Sequence, residues 1–207
     1  MKILRLLPVT LSVLFLQQGF TAVPPAAIEG PITAEQPPSR NAIYSASALN
    51  LAAHDYTEEE FFIAGTGNVY SQPDLATGTV ESSGHPFKTR LIVRRPAPEA
   101  FNGIVVVEWI NVTGGPDKDI DWWQSGEHLM RSGYAYVAAS AQQMGIDTMA
   151  DWGSARYGEL DMTASGTVDN DALSYDAFSA VGRAIFRRGE ESVSGTIDIL
   201  DGLRAEQ

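Results

Sequence analysis

Ile104, Val105, Val106 and Val107 form an unbroken apolar run after Asn102-Gly103. A strand with one wet face alternates apolar and polar side chains, whereas a strand covered on both faces does not. The run therefore predicts a strand buried on both sides, inside a sheet flanked by two layers. The residues after it agree. The loop 111–115, Asn111-Val112-Thr113-Gly114-Gly115, is small and Gly-rich. A helix should come next, with Asp121 as its cap and Gln124 three residues on. Trp122, Gly126, Leu129 and Gly133 fall on one face of it, with Trp123 and Met130 beside them, and Gly133 ends it. Residues 134–139, Tyr-Ala-Tyr-Val-Ala-Ala, read as a second buried strand.

The flanking segments extend this pattern. Phe61-Phe62-Ile63-Ala64 and Asn68-Val69-Tyr70 read as an early strand around a bend at Gly65-Thr66-Gly67. Residues 87–95 alternate enough for a half-exposed strand, which Pro96 and Pro98 end. The stretch from Gln142 to the next helix reads as loop. That helix has Asn170 or Asp171 as its cap and Leu173, Ala177, Ala180, Val181 and Ala184 on one face. Arg187-Arg188 suits its negative end, and Gly189 stops it. Two outer strands, then strand, helix, strand, helix, make an α/β chain with a parallel sheet. Ligands bind such sheets at the carboxyl ends of the strands, here 111–115 and 140–145.

Composition narrows the function classes. The chain has 207 residues, 44% apolar and 19% charged, which suits one globular domain. Its formal charge is −12, against the clustered cations that nucleic acid requires. It has no Cys, so disulfides, thiolate catalysis and Cys-bound zinc are excluded. Nothing in it calls for a cofactor or a resident metal.

The N-terminus reads as an export signal over residues 1–23. Lys2 and Arg5 precede an apolar stretch, 6–16, broken only by Pro8, Thr10 and Ser12, and small residues follow. The stretch is too short to span a bilayer. Its removal takes away two cations, moving the formal charge from −12 to −14. The expected location is periplasmic or secreted, with no integral span in the mature chain. Residues 24–54 read as an extended leader and 55–207 as the domain proper.

Several blocks together carry a resemblance. They are Glu58-Glu59-Glu60-Phe61-Phe62-Ile63-Ala64-Gly65-Thr66-Gly67-Asn68-Val69-Tyr70 and Arg90-Leu91-Ile92-Val93-Arg94-Arg95-Pro96. The most specific is Gly103-Ile104-Val105-Val106-Val107-Glu108-Trp109-Ile110-Asn111-Val112-Thr113-Gly114-Gly115, followed by Asp121-Trp122, Gly133-Tyr134-Ala135 and Ser140-Ala141-Gln142. Ser174-Tyr175-Asp176-Ala177-Phe178-Ser179 completes the set. The chain resembles the bacterial α/β-hydrolase domain-containing proteins over residues 55–188. The resemblance implies an α/β-hydrolase-type, mostly parallel sheet flanked by helices, of which this chain holds strands 1–4 and the first helices. Residues 104–109 would be the third strand. The loop after that strand supplies one oxyanion donor in α/β-hydrolases, so Asn111 or Val112 is the implied donor.

The same resemblance sets an expectation about what is missing. The nucleophile of this fold sits on a G-x-S-x-G-like turn after the fifth strand. No Ser here has Gly two residues before and two after. Ser165 lies between Thr163 and Thr167, and Ser194 between Ser192 and Thr196. Residues 195–203 look like the connector ahead of the nucleophile strand, which places Ser, acid and His beyond Gln207. His54, His85 and His128 follow no late strand. The fifth strand pairs with the third in this fold, so 104–109 is expected to be an open, aggregation-prone edge.

Other motifs are weaker. Asp117-Lys118-Asp119-Ile120-Asp121 resembles the start of a calcium loop. That loop needs Gly sixth and Glu twelfth, where Trp122 and His128 stand. Its carboxylates read as helix caps. Asn111-Val112-Thr113 matches a glycan acceptor that would block the oxyanion loop. Gly65-Thr66-Gly67 lacks the third Gly of a dinucleotide site. Trp109, Trp122, Trp123 and Trp152 are expected around the pocket, with core packing the competing role. The favoured function is the N-terminal portion of an exported serine hydrolase for small-molecule carboxylic esters, inactive by itself. The alternative is a non-catalytic binding module or remnant of the fold.

Overall fold

The computed structural model describes residues 25–33, 43–186 and 197–203. The export segment, Arg187-Arg188, Gly189 and Ser194 lie outside the described residues. One five-stranded sheet organises the rest. Its strands are β1 (Ala27–Glu29), β2 (Tyr56–Tyr70), β3 (Val80–Pro96), β4 (Val105–Trp109) and β5 (Ala135–Ala139), in the order β1-β2-β3-β5-β4. Three helices pack on it: α1 (Ile120–Arg131), α2 (Gln143–Tyr157) and α3 (Ser174–Phe186).

The expected mostly parallel sheet is corrected to a mixed one. Only β4 and β5 pair in parallel, from Val105↔Ala135 to Trp109↔Ala139. The other pairings are antiparallel. β2 and β3 are long enough to form a hairpin arm, in register from Tyr56↔Pro96 to Gly67↔His85. The expected bend at Gly65-Thr66-Gly67 stays within the ladder, and the register shifts fall just after it, between Gly67 and Tyr70. Because β2 and β5 both run opposite to β3, β2, β4 and β5 all point the same way. Their carboxyl ends, at Tyr70, Trp109 and Ala139, share one edge of the molecule. The expected leader 24–54 is partly built into the fold. β1 adds to β2, and Ile43, Leu49 and Leu51 pack beside α1.

α1 and α3 bury the stripes their sequences predict. On α1 these are Trp122, Gly126, Leu129 and Met130, while Trp123 is exposed. On α3 they include Ala177, Ala180 and Val181, with Leu173 just ahead. The α1 stop is steric: Gly133 has φ +74°, and a Cβ there would lie 2.1 Å from the Ala100 carbonyl oxygen.

Three local expectations are corrected. Asp121 does not cap α1. Asp119 holds the cap position without a capping bond from its side chain, and Glu108 on β4 accepts from the Asp121 N–H at 3.2 Å instead. The stretch after Gln142 is helical. α2 buries Ile146, Met149, Arg156 and Tyr157, but Gly145 and Gly153 lower its helix propensity and Gly153 kinks it. Asn170 and Asp171 have φ +55° and stand ahead of α3, where Asp171 accepts from the Gln143 N–H that opens α2.

β4 is the last strand of the sheet among the described residues. The expectation that it is covered on both faces holds only in part: Val105, Val106 and Val107 are half-buried and Ile104 is exposed. An apolar edge of this kind pairs with other edges. Ile104→Lys should therefore lower self-association of the purified chain, read by light scattering across a concentration series. An unchanged profile would show that the edge does not drive association.

Candidate functional site

The carboxyl ends of β4 and β5 stand on a buried ionic cluster. Residues 87–95 are not half-exposed: Thr89, Arg90 and Arg94 are buried, and Lys88 and Arg95 are only partly exposed. An isolated buried guanidinium is prohibitively costly, so each must be paired and hydrogen-bonded. Arg90 donates to Asp117 Oδ2 at 2.9 Å, to Ser140 Oγ at 3.1 Å, to the Tyr44 carbonyl at 2.8 Å and to Glu60 Oε1 at 3.4 Å. Glu60 also receives Arg156 Nε at 2.6 Å and the Tyr157 hydroxyl at 3.0 Å. Burial, reinforced by the Glu60 charge, pushes the Tyr157 hydroxyl up to about 12. Arg94 pairs with Glu58 at 2.6 Å and with Asp119, and stacks over Trp122 with its guanidinium 4.6 Å from the ring centroid.

Asp117 is the hinge between this cluster and the loops above it. Its Oδ2 accepts from Arg90 and from the Ser140 hydroxyl. Its Oδ1 has no hydrogen bond among the described residues and lies against Gly145 in the first turn of α2, where a Cβ would sit 1.9 Å away. The positive end of the helix dipole favours a carboxylate there. Asp117 and Asp119, read from sequence as capping carboxylates, instead neutralise Arg90 and Arg94.

The proposed oxyanion loop is cinched from both sides. Asn111 and Lys118 exchange backbone hydrogen bonds at 3.1 and 2.9 Å, and Asn111 Oδ1 accepts from Thr113 N–H at 2.8 Å. Lys118 Nζ donates to the Thr113 carbonyl at 2.6 Å, and Gly115 N–H to the Val112 carbonyl at 2.9 Å. The Asn111 N–H is thus engaged. The Val112 N–H has no acceptor among the described residues. Both residues sit at the carboxyl end of β4, beside the start of α2.

A polar relay fixes the neighbouring loop. Trp109 Nε1 donates to Gln142 Oε1 at 3.3 Å, and Gln142 Nε2 to Asp171 Oδ2 at 3.1 Å. The Trp109 ring meets Tyr175 at 5.5 Å and Phe178 at 5.3 Å between centroids. The four tryptophans do not gather at one pocket. Trp122 packs on Tyr136, Trp152 on Tyr44 and Tyr157, and Trp123 faces outward. Only Trp109 stands at the loop.

The remaining candidates are dispersed. His54 closes a 3-10 turn, and His128 lies on α1 near Tyr134. His85 meets Ser82 Oγ at 2.7 Å on the exposed hairpin, and no carboxylate orients its ring among the described residues. Ser165 lies at φ +58° in an exposed turn, its N–H donating to Asp161. Among the described residues no group of three or more His, Asp or Glu could hold a metal ion, and no helix is long and apolar enough to cross a membrane.

A mixed sheet whose β2, β4 and β5 run together, with a small-residue loop after β4 and α1 between β4 and β5, is consistent with the α/β-hydrolase fold. An alpha/beta hydrolase domain model matches residues 28–207, and the chain belongs to that family. No curated protein and no solved structure matches it.

Two outcomes are expected from the cluster. Asp117→Ala leaves Arg90 without its nearest counter-charge and should cost about 3–5 kcal/mol, read as a fall in the urea midpoint. A loss below about 1 kcal/mol would mean that water reaches the guanidinium. Glu108 carries a second signature. Burial raises its carboxyl above the usual range, although hydrogen bonds from Tyr136 and Asp121 oppose the shift. The folded chain then holds this proton more tightly than the unfolded one. The Glu108 contribution to stability therefore falls as pH rises from the ordinary carboxylate value through the raised one. Glu108→Gln should flatten the part of the stability profile that lies above the ordinary carboxylate pKa. Parallel wild-type and variant profiles would refute the shift.

Proposed function

We propose that this chain supplies the oxyanion side of a serine-hydrolase site for small-molecule carboxylic esters, in an exported protein. The observation that carries the reading is the Val112 N–H, left without an acceptor among the described residues at the carboxyl end of β4 while the loop around it is tied down on both sides. A preorganised donor of this kind stabilises charge as it develops, because nothing must reorient during the reaction. Membership of the alpha/beta hydrolase domain family supports the chemistry. The positive, apolar and small-residue order of residues 1–23 supports export to the periplasm or beyond.

In such a site a Ser hydroxyl attacks the ester carbonyl carbon while His takes its proton. The carbonyl oxygen becomes an oxyanion held by the Val112 N–H and a second donor. The C–O bond to the alcohol then breaks, the alcohol leaves with the proton from His, and water releases the acyl group. No Ser in these 207 residues stands in a G-x-S-x-G setting, and neither Ser82 nor Ser165 occupies a strand-to-helix turn. We therefore propose that the chain alone is inactive and that nucleophile, acid and His come from sequence outside it.

The purified 207-residue chain should neither hydrolyse a 4-nitrophenyl ester nor take up a fluorophosphonate label. Either activity would overturn the absence of a nucleophile. The coding DNA beyond the Gln207 codon should encode a strand followed by a G-x-S-x-G-like turn, in frame or one frameshift away. Joined to that segment, the protein should cleave the ester, and Val112→Pro should lower kcat by about 10²–10³. Full activity in that variant would remove Val112 from the site.

A further inference from the structure

A cavity of about 390 Å³ opens at the same edge of the molecule as the proposed ester site. Its walls are Tyr70 at the end of β2 and Gln72 just after it, Thr77 and Gly78 on the hairpin loop, Ala172 just ahead of α3 and Tyr175 in its first turn. Tyr70 ends β2, which runs in the same direction as β4 and β5, so the cavity lies on the carboxyl-end side of the sheet. Tyr175 joins the two places. It lines the cavity, and its ring also meets Trp109, the last residue of β4, at 5.5 Å.

The chemistry of the walls selects the occupant. The lining carries no Asp, Glu, Lys, Arg or His. The nearby Asp176 carboxylate is fully engaged elsewhere: Oδ2 accepts from the Asn68 N–H and side-chain amide, both at 2.8 Å, and Oδ1 from the Tyr70 hydroxyl at 2.9 Å. Ser71 is tied to Thr79 across the loop neck. The Gln72 amide and the Thr77 and Tyr175 hydroxyls are the uncharged polar groups left over, with no hydrogen-bond partner among the described residues. Two aromatic rings, small apolar groups, one free amide and two free hydroxyls, with no charge among them, suit an uncharged ring system bearing a polar substituent. A cavity of this volume is large enough for a fused bicyclic ring.

From this we infer that the cavity binds a neutral aromatic or alicyclic group, and that it is the subsite for the ring portion of the ester substrate. The subsite assignment rests on the proposed ester site; the binding itself does not. The probe is therefore 2-naphthol, which has no ester bond, titrated into the full 207-residue chain by calorimetry or NMR. Saturable binding is expected. Thr77→Trp, which fills the cavity from an exposed loop, should weaken it about tenfold or more. Tyr175→Ala, at an exposed position, should weaken it about three- to tenfold through loss of the ring wall. The anion 2-naphthalenesulfonate should bind less well than 2-naphthol. Circular dichroism checks that both variants fold. Absence of saturable binding, or binding unchanged in both variants, would overturn the site, and equal binding of the sulfonate would overturn its preference for neutral ligands. Saturable binding by a protein that never cleaves esters would discard the proposed reaction and leave the cavity's ligand class standing.

Discussion

A charge with no route to water governs this molecule. The Arg90 guanidinium is fully enclosed, and its counter-charges and acceptors come from segments far apart in the chain: Tyr44, Glu60, Asp117 and Ser140. Each partner has to arrive in register for any of them to be useful, because a half-satisfied buried ion is worse than none. The arrangement therefore specifies as much as it stabilises. It fixes the pre-α1 segment against β3, seals the carboxyl end of β5 through Ser140, and through Glu60 reaches Arg156 and Tyr157 on α2. Arg94 repeats the device further along the same strand, with Glu58 and Asp119.

The candidate site inherits its rigidity from that foundation. Asp117 belongs to the ionic cluster and directly precedes Lys118, whose backbone pairs with Asn111 and closes the loop, so the Val112 N–H is supported from below. From above, the relay from Trp109 through Gln142 to Asp171 holds the loop after β5 and the approach to α3 together. Catalytic donors gain from such support, since small displacements of an oxyanion donor are costly to rate.

How much of this was legible in the sequence depends on whether a residue's neighbours along the chain carry its reason. The buried strand at 135–139 and the stripes of α1 and α3 announce themselves, because their periodicity reflects their own burial, whereas the unalternating run at 104–107 marks a strand but not its half-exposed edge position. Asn111 and Val112 were legible as loop residues after that run. Arg90 and Arg94 were not, because alternation assigns polar side chains to water, and only the distant Glu58, Glu60, Asp117 and Asp119 reverse that. α2 was hidden for a related reason. Its buried face includes Gly145, Gly153 and Arg156, which read as loop and surface until Asp117 and Glu60 are placed beside them. Asp171 read only as a helix cap and Gln142 only as part of the Ser140-Ala141-Gln142 block, since their shared role exists only where separate loops meet.

The pairing of Glu60 with Arg156 spans 96 positions of chain. During synthesis the β2–β3 hairpin leaves the ribosome long before α2 exists, with Glu60 and Arg90 on the face that will be buried. Glu60 and Arg90 can meet within that hairpin, but burying them before Asp117 and Arg156 arrive would leave both only partly satisfied. Full satisfaction of this face therefore depends on residues that appear late in the chain. Long-range closure of this kind slows folding. For a chain exported as we propose, lateness is an advantage: it leaves the polypeptide threadable while it is still being made.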